Sequence, residues 1–409
     1  MNWLLKSLLF LTLSILFGVG VVLGVVYFTD ADLIYYGERK AITIGRPVTD
    51  AASYPLLPDN EVKNIMLFIG DGMGLSQITA ARIHYYGADG RLHLERMPVT
   101  GLLATHSAND LITDSAASAT AMSTGVKTNN GMVGVDVSGV SRRTILEAAR
   151  DAGLATGLVT STRITDATPA CFAAHITKRN REDEIALQLI QSKVNVLFGA
   201  GPYFYPAKDT RSKRHDDLDP IAVAKQSGYT LVKSKTELQS VAGDYVIGLF
   251  EHILADKWAA EIISDSNTPT LAELTSKATE LLRRNPRGFF LVVEEEGVDR
   301  GGHINREEYV IHYLKQLDDA VKVGLEFAFR DQHTLVMVTS DHETGAMNLV
   351  AGSYKTGELK LAWDTDGHTG QSVPLFAFGP HAWRFTGLKD NTELPKIMAE
   401  LLGLEAFQN

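Results

Sequence analysis

The side chains of this sequence that can do chemistry are hydroxyls, carboxylates and imidazoles standing at the ends of apolar runs. Ser115 lies in Leu111-Ile-Thr-Asp-Ser-Ala-Ala-Ser-Ala-Thr-Ala-Met-Ser-Thr-Gly125, whose tiny residues and closing glycine predict a loop that enters a helix. At a helix N-terminus, unpaired N–H groups and the positive end of the macrodipole favour an alkoxide or a bound phosphate. Two readings stand at this point. Ser115 is a nucleophile, or Asp114 or Ser115 is an N-cap and the alanines merely allow close packing. No histidine lies beside Ser115 in sequence, so a nucleophile here needs metal ions to ionise it.

Ligands of the right kind stand at three further apolar runs. Val62 to Ile69 ends in Gly70-Asp71-Gly-Met-Gly74, Gly288 to Val293 in Glu294-Glu-Glu-Gly-Val-Asp299-Arg-Gly-Gly-His303, and His333 to Thr339 in Ser340-Asp341-His342-Glu343. Three successive carboxylates ending an apolar strand are costly unless solvated, paired or bound to cations. A last histidine, His368, precedes the run Val373 to Phe378. Sorted by chemistry, Asp299, His303 and His368 suit zinc with one position left open, and Asp71, Asp341 and His342 suit a second ion. Asp71, Thr168 and Glu294 offer oxygen alone, which suits magnesium. Asp166 and Thr168, with Arg179 downstream, fit a hard cation beside an oxyanion; the alternative is an Asx turn before Pro169 and a solvated Lys178-Arg179 pair. Two zinc ions about 4 Å apart clamp both the attacking and the leaving oxygen of an in-line phosphoryl displacement.

The elements that must position these residues follow from the same pattern. Buried strands are expected at Val62 to Ile69, Leu154 to Thr160, Val194 to Phe198, Gly288 to Val293, His333 to Thr339 and Val373 to Phe378. Helices are expected at Ser76 to Tyr86, Arg142 to Ala152, Arg181 to Ser192, from Thr270 (a capping box with Glu273) to about Arg284, from an Asn305 cap to about Arg330, and at Thr392 to Leu402. Arg211 to Asp217 reads as a charged surface loop. Strands and helices alternate, so the fold class is α/β, a largely parallel sheet with helices on both faces. A carboxylate just past a buried strand then sits where open α/β sheets place their ligands.

With 409 residues, 45% of them hydrophobic, the chain can bury a sizeable core. A formal charge of −10 without a basic run argues against a nucleic-acid partner. Cys171 is the single cysteine, which excludes thiolate metal sites and internal disulfides. Residues 1–29 hold Lys6 and then an uncharged stretch from Leu8 to Phe28, enough for the roughly 20 apolar residues that span a bilayer. An uncleaved membrane anchor, a cleaved signal segment and a buried helix are the three readings. In the first two the remainder faces outward, anchored or periplasmic and secreted. Residues 30–60 read as a linker, and 61–409 as one catalytic domain.

The ordered set Asp71-Gly-Met-Gly74, Asp114-Ser-Ala-Ala-Ser118, Asp166-Ala-Thr-Pro169 with Arg179, Glu294 with Asp299 and His303, Asp341-His342 and Gly367-His-Thr-Gly370 closely resembles the alkaline phosphatases. It runs from Asn64 almost to the C-terminus. The resemblance implies a three-layer α/β sandwich, hydrolysis of small phosphate monoesters, Ser115 as the residue that becomes phosphorylated and Arg179 as the grip on phosphate. It also implies two zinc ions and one magnesium ion held as sorted above, Asp71 bridging the second zinc and the magnesium, and a homodimer. Two departures stand out. Position 300 is Arg where family members carry Lys, His or Trp, so Arg300 is expected to contact the phosphate or to weaken the third metal site. The interval from Asp341 to His368 is short, so the loop that roofs the site in larger relatives is expected to be reduced or absent. Rival readings are a phosphodiesterase, sulfatase or phosphomutase of the same superfamily, or an inactive metal- or phosphate-binding protein. A sulfatase needs a Cys/Ser-x-Pro-x-Arg motif, and Ser115 is followed by Ala-Ala-Ser.

Overall fold

A computed structural model describes residues 42–45, 52–250, 268–404 and 407. The segment 1–29 lies outside the described residues; among those described, no helix is long and apolar enough to cross a membrane. The described parts of the expected linker are bound to the domain. Ile42 is buried, the Tyr54 ring packs 5.1 Å from that of Phe378, and Asp59 accepts hydrogen bonds from His381 N and Trp383 Nε1. Large aromatic groups and a carboxylate found partners that a free linker lacks.

Among the described residues ten strands form the main sheet. From edge to edge they are Gly387–Asp390, Val99–Ala104, Val373–Phe378, Thr334–Thr339, Asn64–Gly70, Phe289–Glu295, Ala155–Arg163, Val196–Ala200, Val246–Leu249 and Thr230–Val232. Every pairing is parallel except the two made by Val373–Phe378, which runs against both neighbours. The central strands are apolar throughout because both faces are covered. Ile65, Leu67 and Ile69 enter one core, and Met66 and Phe68 the other, as the two-residue alternation of a strand requires. Helices cover both faces, among them Glu307–Asp331, 25 residues long.

Several boundaries differ from the sequence reading. The helix expected from Arg142 is Ile145–Asp151, because Thr144 and Glu147 form a capping box. Asn305 does not cap the helix that begins at Glu307; it stands at φ 51°, and Arg306 occupies the cap position. In the charged loop, Arg214 is buried, donating to Asp216 and to the carbonyls of Asp183 and Tyr203. The short interval before His368 holds an antiparallel hairpin, Asn348–Ser353 with Glu358–Ala362.

The carboxyl ends of the central strands meet at one sheet edge. Ile69 is level with Glu294 on one side and Thr339 on the other, and Thr160 is level with Glu294. Asp71, Glu294 and Asp341 thus leave adjacent strands at the same height. The reversed strand Val373–Phe378 begins where its neighbours end, which returns His368 to that edge.

Candidate active site

The Asp71 turn needs glycine. Gly72 has φ 74°, and a Cβ there would meet Asp299 Cα at 2.6 Å. Ser115 is the first residue of the helix Ser115–Thr124, and the N-cap is Asp114, whose Oδ1 accepts from Ala117 N at 2.9 Å. The cap and the Ser115 hydroxyl therefore belong to different residues. The helix is wholly buried and ends at Gly125, φ 74°, in the left-handed conformation that favours glycine. Its hydroxyls are satisfied internally: Ser118 Oγ donates to Asp341 O at 2.8 Å, and Ser123 Oγ to Cys171 O at 2.7 Å. Ser115 Oγ instead faces His342 Nε2 at 3.3 Å.

Two clusters flank it, with the memberships expected from sequence: Asp299, His303 and His368, and Asp71, Asp341 and His342. In each, the ligand-type atoms lie within 4.8 Å of one another. In the first, His303 Nε2 is 3.3 Å from Asp299 Oδ2, His368 Nε2 is 3.6 Å from Asp299 Oδ1, and the two imidazole nitrogens are 3.2 Å apart. Their Nδ1 atoms are turned away, to Asp366 O at 2.6 Å and Thr113 O at 2.9 Å, which fixes Nε2 toward the cluster. In the second, His342 Nε2 is 3.2 Å from Asp341 Oδ2 and 3.6 Å from Asp71 Oδ1. The His342 and His368 rings stack with centroids 3.5 Å apart, so the clusters are contiguous.

The electrostatics call for cations. Burial, then the charges of Asp341, Asp299 and Glu294, push the Asp71 carboxyl well above the usual range. Burial and Asp299 raise Asp341 to about 6. Glu294 is pushed well up by burial, against the hydroxyl of Thr160, which donates at 2.5 Å. Asp299 goes the other way: burial raises it, but the His303 hydrogen bond and the charges of three histidines outweigh that and hold it low. The bond to Asp299 raises His303 to about 9. Asp71 Oδ1, Asp341 Oδ2 and Thr168 Oγ1 are buried without a hydrogen-bond partner. Acceptor oxygens left bare among like charges are a fit for bound metal, in a donor set of nitrogen and oxygen. Asp71, Glu294 and Thr168 offer oxygen alone. Of these, Glu294 stands near enough to raise Asp71 through its charge.

Arg179 closes the other side. Its Nη1 lies 3.3 Å from Asp114 Oδ2 and its Nη2 3.0 Å from Asp166 Oδ1. Burial lowers its pKa, but the charges of Asp166, Asp114 and Asp71 more than reverse that, so it stays a cation. Asp166 is held by two arginines. Its Oδ2 accepts from Arg163 Nη2 at 2.6 Å, and its Oδ1 also takes Ala167 N at 2.7 Å. Arg300 donates to Glu296 Oε2 at 2.7 Å and to Thr162 Oγ1 at 3.3 Å.

Sequence reasoning missed Thr344, whose Oγ1 donates to Asp299 Oδ1 and lies 3.3 Å from His342 Nδ1. The signal was its place two residues past His342, where extended chain returns to the same face. It also missed Asp114 as a partner of Arg179, since that contact spans residues far apart in sequence.

The alkaline phosphatase family model matches residues 62–358 and 352–404. Over 422 residues the chain is 36% identical to the alkaline phosphatase of Escherichia coli strain K12, covering 87% of this chain and 89% of that protein. It is 32% identical over 441 residues to the streptomycin-6-phosphate phosphatase of Streptomyces griseus, covering 90% and 96%. Among solved structures it is similar to an alkaline phosphatase variant from the Antarctic bacterium TAB5 that carries magnesium in its M3 site. That match has a TM-score of 0.73 and 33% identity, and covers 85% of this chain and 99% of that one.

Proposed function

The chain belongs to the alkaline phosphatase family and is a phosphoric monoester hydrolase, and from that premise we propose that it works in two steps through a phosphoserine at Ser115. The observation that carries the reading is the position of the Ser115 hydroxyl. It is buried at a helix N-terminus, 3.3 Å from His342 Nε2, with nothing but that imidazole as a hydrogen-bond partner among the described residues.

The donor sets assign zinc to Asp299, His303 and His368, a second zinc to Asp71, Asp341 and His342, and magnesium to Asp71, Thr168 and Glu294. When bound, these ions supply the positive charge that ionises the Ser115 hydroxyl and a water and that neutralises the buried carboxylates.

The chain's own residues do the rest. Asp114 caps the helix and so aims its N-terminal N–H groups at the space beside Ser115, where the helix dipole favours negative charge. Arg179, held from behind by Asp114 and Asp166, presents its planar fork to the non-transferred oxygens of the phosphoryl group. Ser115 Oγ attacks phosphorus in line as the substrate alcohol leaves on the far side, toward Asp299, His303 and His368. Water then attacks the phosphoserine from the side the alcohol left, and Ser115 is released. Arg300, tied to Glu296 and Thr162, adds positive charge near Asp166.

Two in-line displacements each invert phosphorus, so a chirally labelled monoester is expected to give inorganic phosphate with net retention. Inversion would mean that water attacks directly and that Ser115 only opens a helix. A phosphodiesterase is disfavoured because the oxygen-only group is complete, and an inactive protein because every ligand position is filled. The same reading places residues 1–29 as a membrane anchor or signal segment, the catalytic domain outside the cytoplasm, and the protein as a homodimer acting on small phosphomonoesters.

A further inference from the structure

Glu343 follows His342 directly and is only 2% exposed, yet it belongs to neither cluster. Both of its oxygens are taken. Oε1 accepts from Gln77 Nε2 at 2.7 Å and Met347 N at 3.3 Å; Oε2 accepts from Thr369 Oγ1 at 2.5 Å and Ala346 N at 3.3 Å. Four donors on one buried carboxyl contrast with Asp71 and Asp341, each of which keeps a bare oxygen.

The donors come from three segments that carry cluster residues. Gln77 sits on the helix Leu75–Tyr86, just past the Asp71 turn, and it also donates to Thr344 O at 3.0 Å. Ala346 and Met347 follow His342. Thr369 follows His368, whose loop meets the His342 loop through a ladder of only two pairs, His368 with Thr344 and Thr369 with Glu343. So short a ladder fixes little by itself, and His368 is half-buried. The approach leaves no slack, since a Cβ on Gly74 would meet Glu343 Cγ at 2.5 Å.

We propose that Glu343 is a positioning residue for His368: by clamping Thr369 Oγ1 it holds the His368 loop in register against the His342 loop, so that His368 Nε2 completes the group with Asp299 and His303. The proposal rests on the zinc assignment made above. Glu343 has both of its oxygens already taken by donors of the protein. It acts through Thr369 on a single ligand, so its effect falls on one metal site of the two.

The test uses the full-length zinc-loaded protein, equilibrated in zinc buffers of graded free concentration, with zinc content read by mass spectrometry. Thr369→Val removes the clamping hydroxyl without disturbing the other bonds of Glu343. It is expected to weaken one of the two zincs about 10–100-fold, the usual effect of an outer-shell partner, and to leave the other unchanged; Thr369→Ser restores the first. His368→Ala should weaken the same zinc, and Thr369→Val added to it should do nothing more. Unchanged affinity for both zincs in Thr369→Val, or loss of both in parallel with the melting temperature, overturns the proposal. If His368→Ala itself leaves the zinc content intact, the zinc assignment fails and the clamp with it. If His368→Ala loses one zinc while Thr369→Val loses none, the clamp alone is wrong.

Discussion

Replacing Ser115 by alanine separates chemistry from structure because the N-cap is its neighbour. Ser115 is 4% exposed and its hydroxyl makes one long contact, 3.3 Å to His342 Nε2. Losing a single buried hydrogen bond costs about 0.5–1.5 kcal/mol, a shift of at most a few degrees in a domain of this size. Alanine is also the best helix former, which offsets part of that. Turnover is expected to fall by orders of magnitude, roughly 10⁴–10⁶-fold, as when a covalent nucleophile is deleted. Asp114→Ala supplies the opposite case. It removes the bonds from Ala117 N and Gly131 N and the pair with Arg179, so stability falls by at least the 1–2 kcal/mol of a lost cap, while the nucleophile remains. Zinc content, thermal melting and phosphate release from an aryl monoester, measured on both variants, decide the matter. A folded, zinc-replete Ser115→Ala protein that still turns over at a rate near that of the native chain refutes the two-step reading.

Arg179→Ala should weaken inhibition by inorganic phosphate roughly 10–100-fold, the worth of hydrogen bonds to a charged group, with zinc content unchanged; loss of zinc would make the residue structural. Chelation should abolish activity, with zinc restoring most of it and magnesium the remainder, and full activity in the metal-free protein would sink the metal assignment. The metal-free protein should also lose stability as pH rises. Burial lifts Glu295 from 4.5 to about 8 despite bonds from Ser161 and Gly297. Across that window the folded state holds a proton the unfolded chain has released, so its advantage shrinks with each step up in pH. Scanning fluorimetry of chelated protein should show this decline, and Glu295→Gln should make it shallower, the remainder belonging to Asp71, Glu294, Asp341 and His303; an equal slope in both would clear Glu295 of the effect.

The site was legible where chemistry follows an apolar run. Buried parallel strands read as continuous hydrophobic segments, and the acids just past Ile69, Val293 and Thr339 lie at their carboxyl ends, so the sequence alone groups the residues that the fold brings together in the two clusters. Ser115 and Asp114 were not separable, because either side chain can cap and only the backbone of residue 114 shows which one does. The direction of Val373–Phe378 was invisible, since an apolar hexapeptide buried on both faces has the same pattern read either way. Thr344, Glu343 and Thr369 went unseen for another reason. They act through a two-pair ladder between segments some 25 residues apart, and nothing in local composition marks that pairing. Asp166 read either as a cation ligand or as a turn residue; its local partner Arg163 is three residues away, but its pairing with Arg179 is set by tertiary contact.

The reversed strand has a consequence for how the molecule is made. Among the described residues, Val99–Ala104 and Gly387–Asp390 are attached to the rest of the sheet only through Val373–Phe378. The segment that leads to Ser115 therefore has no seat until nearly the whole chain has emerged from the ribosome. His368, 65 residues after His303, arrives on the same late stretch. A nascent chain stopped before Val373 carries Ser115 and every proposed ligand through His368 but lacks the strand that seats the Ser115 segment. On the proposed two-step reading, the hydrolytic site is therefore complete only once the strand Val373–Phe378 is in place.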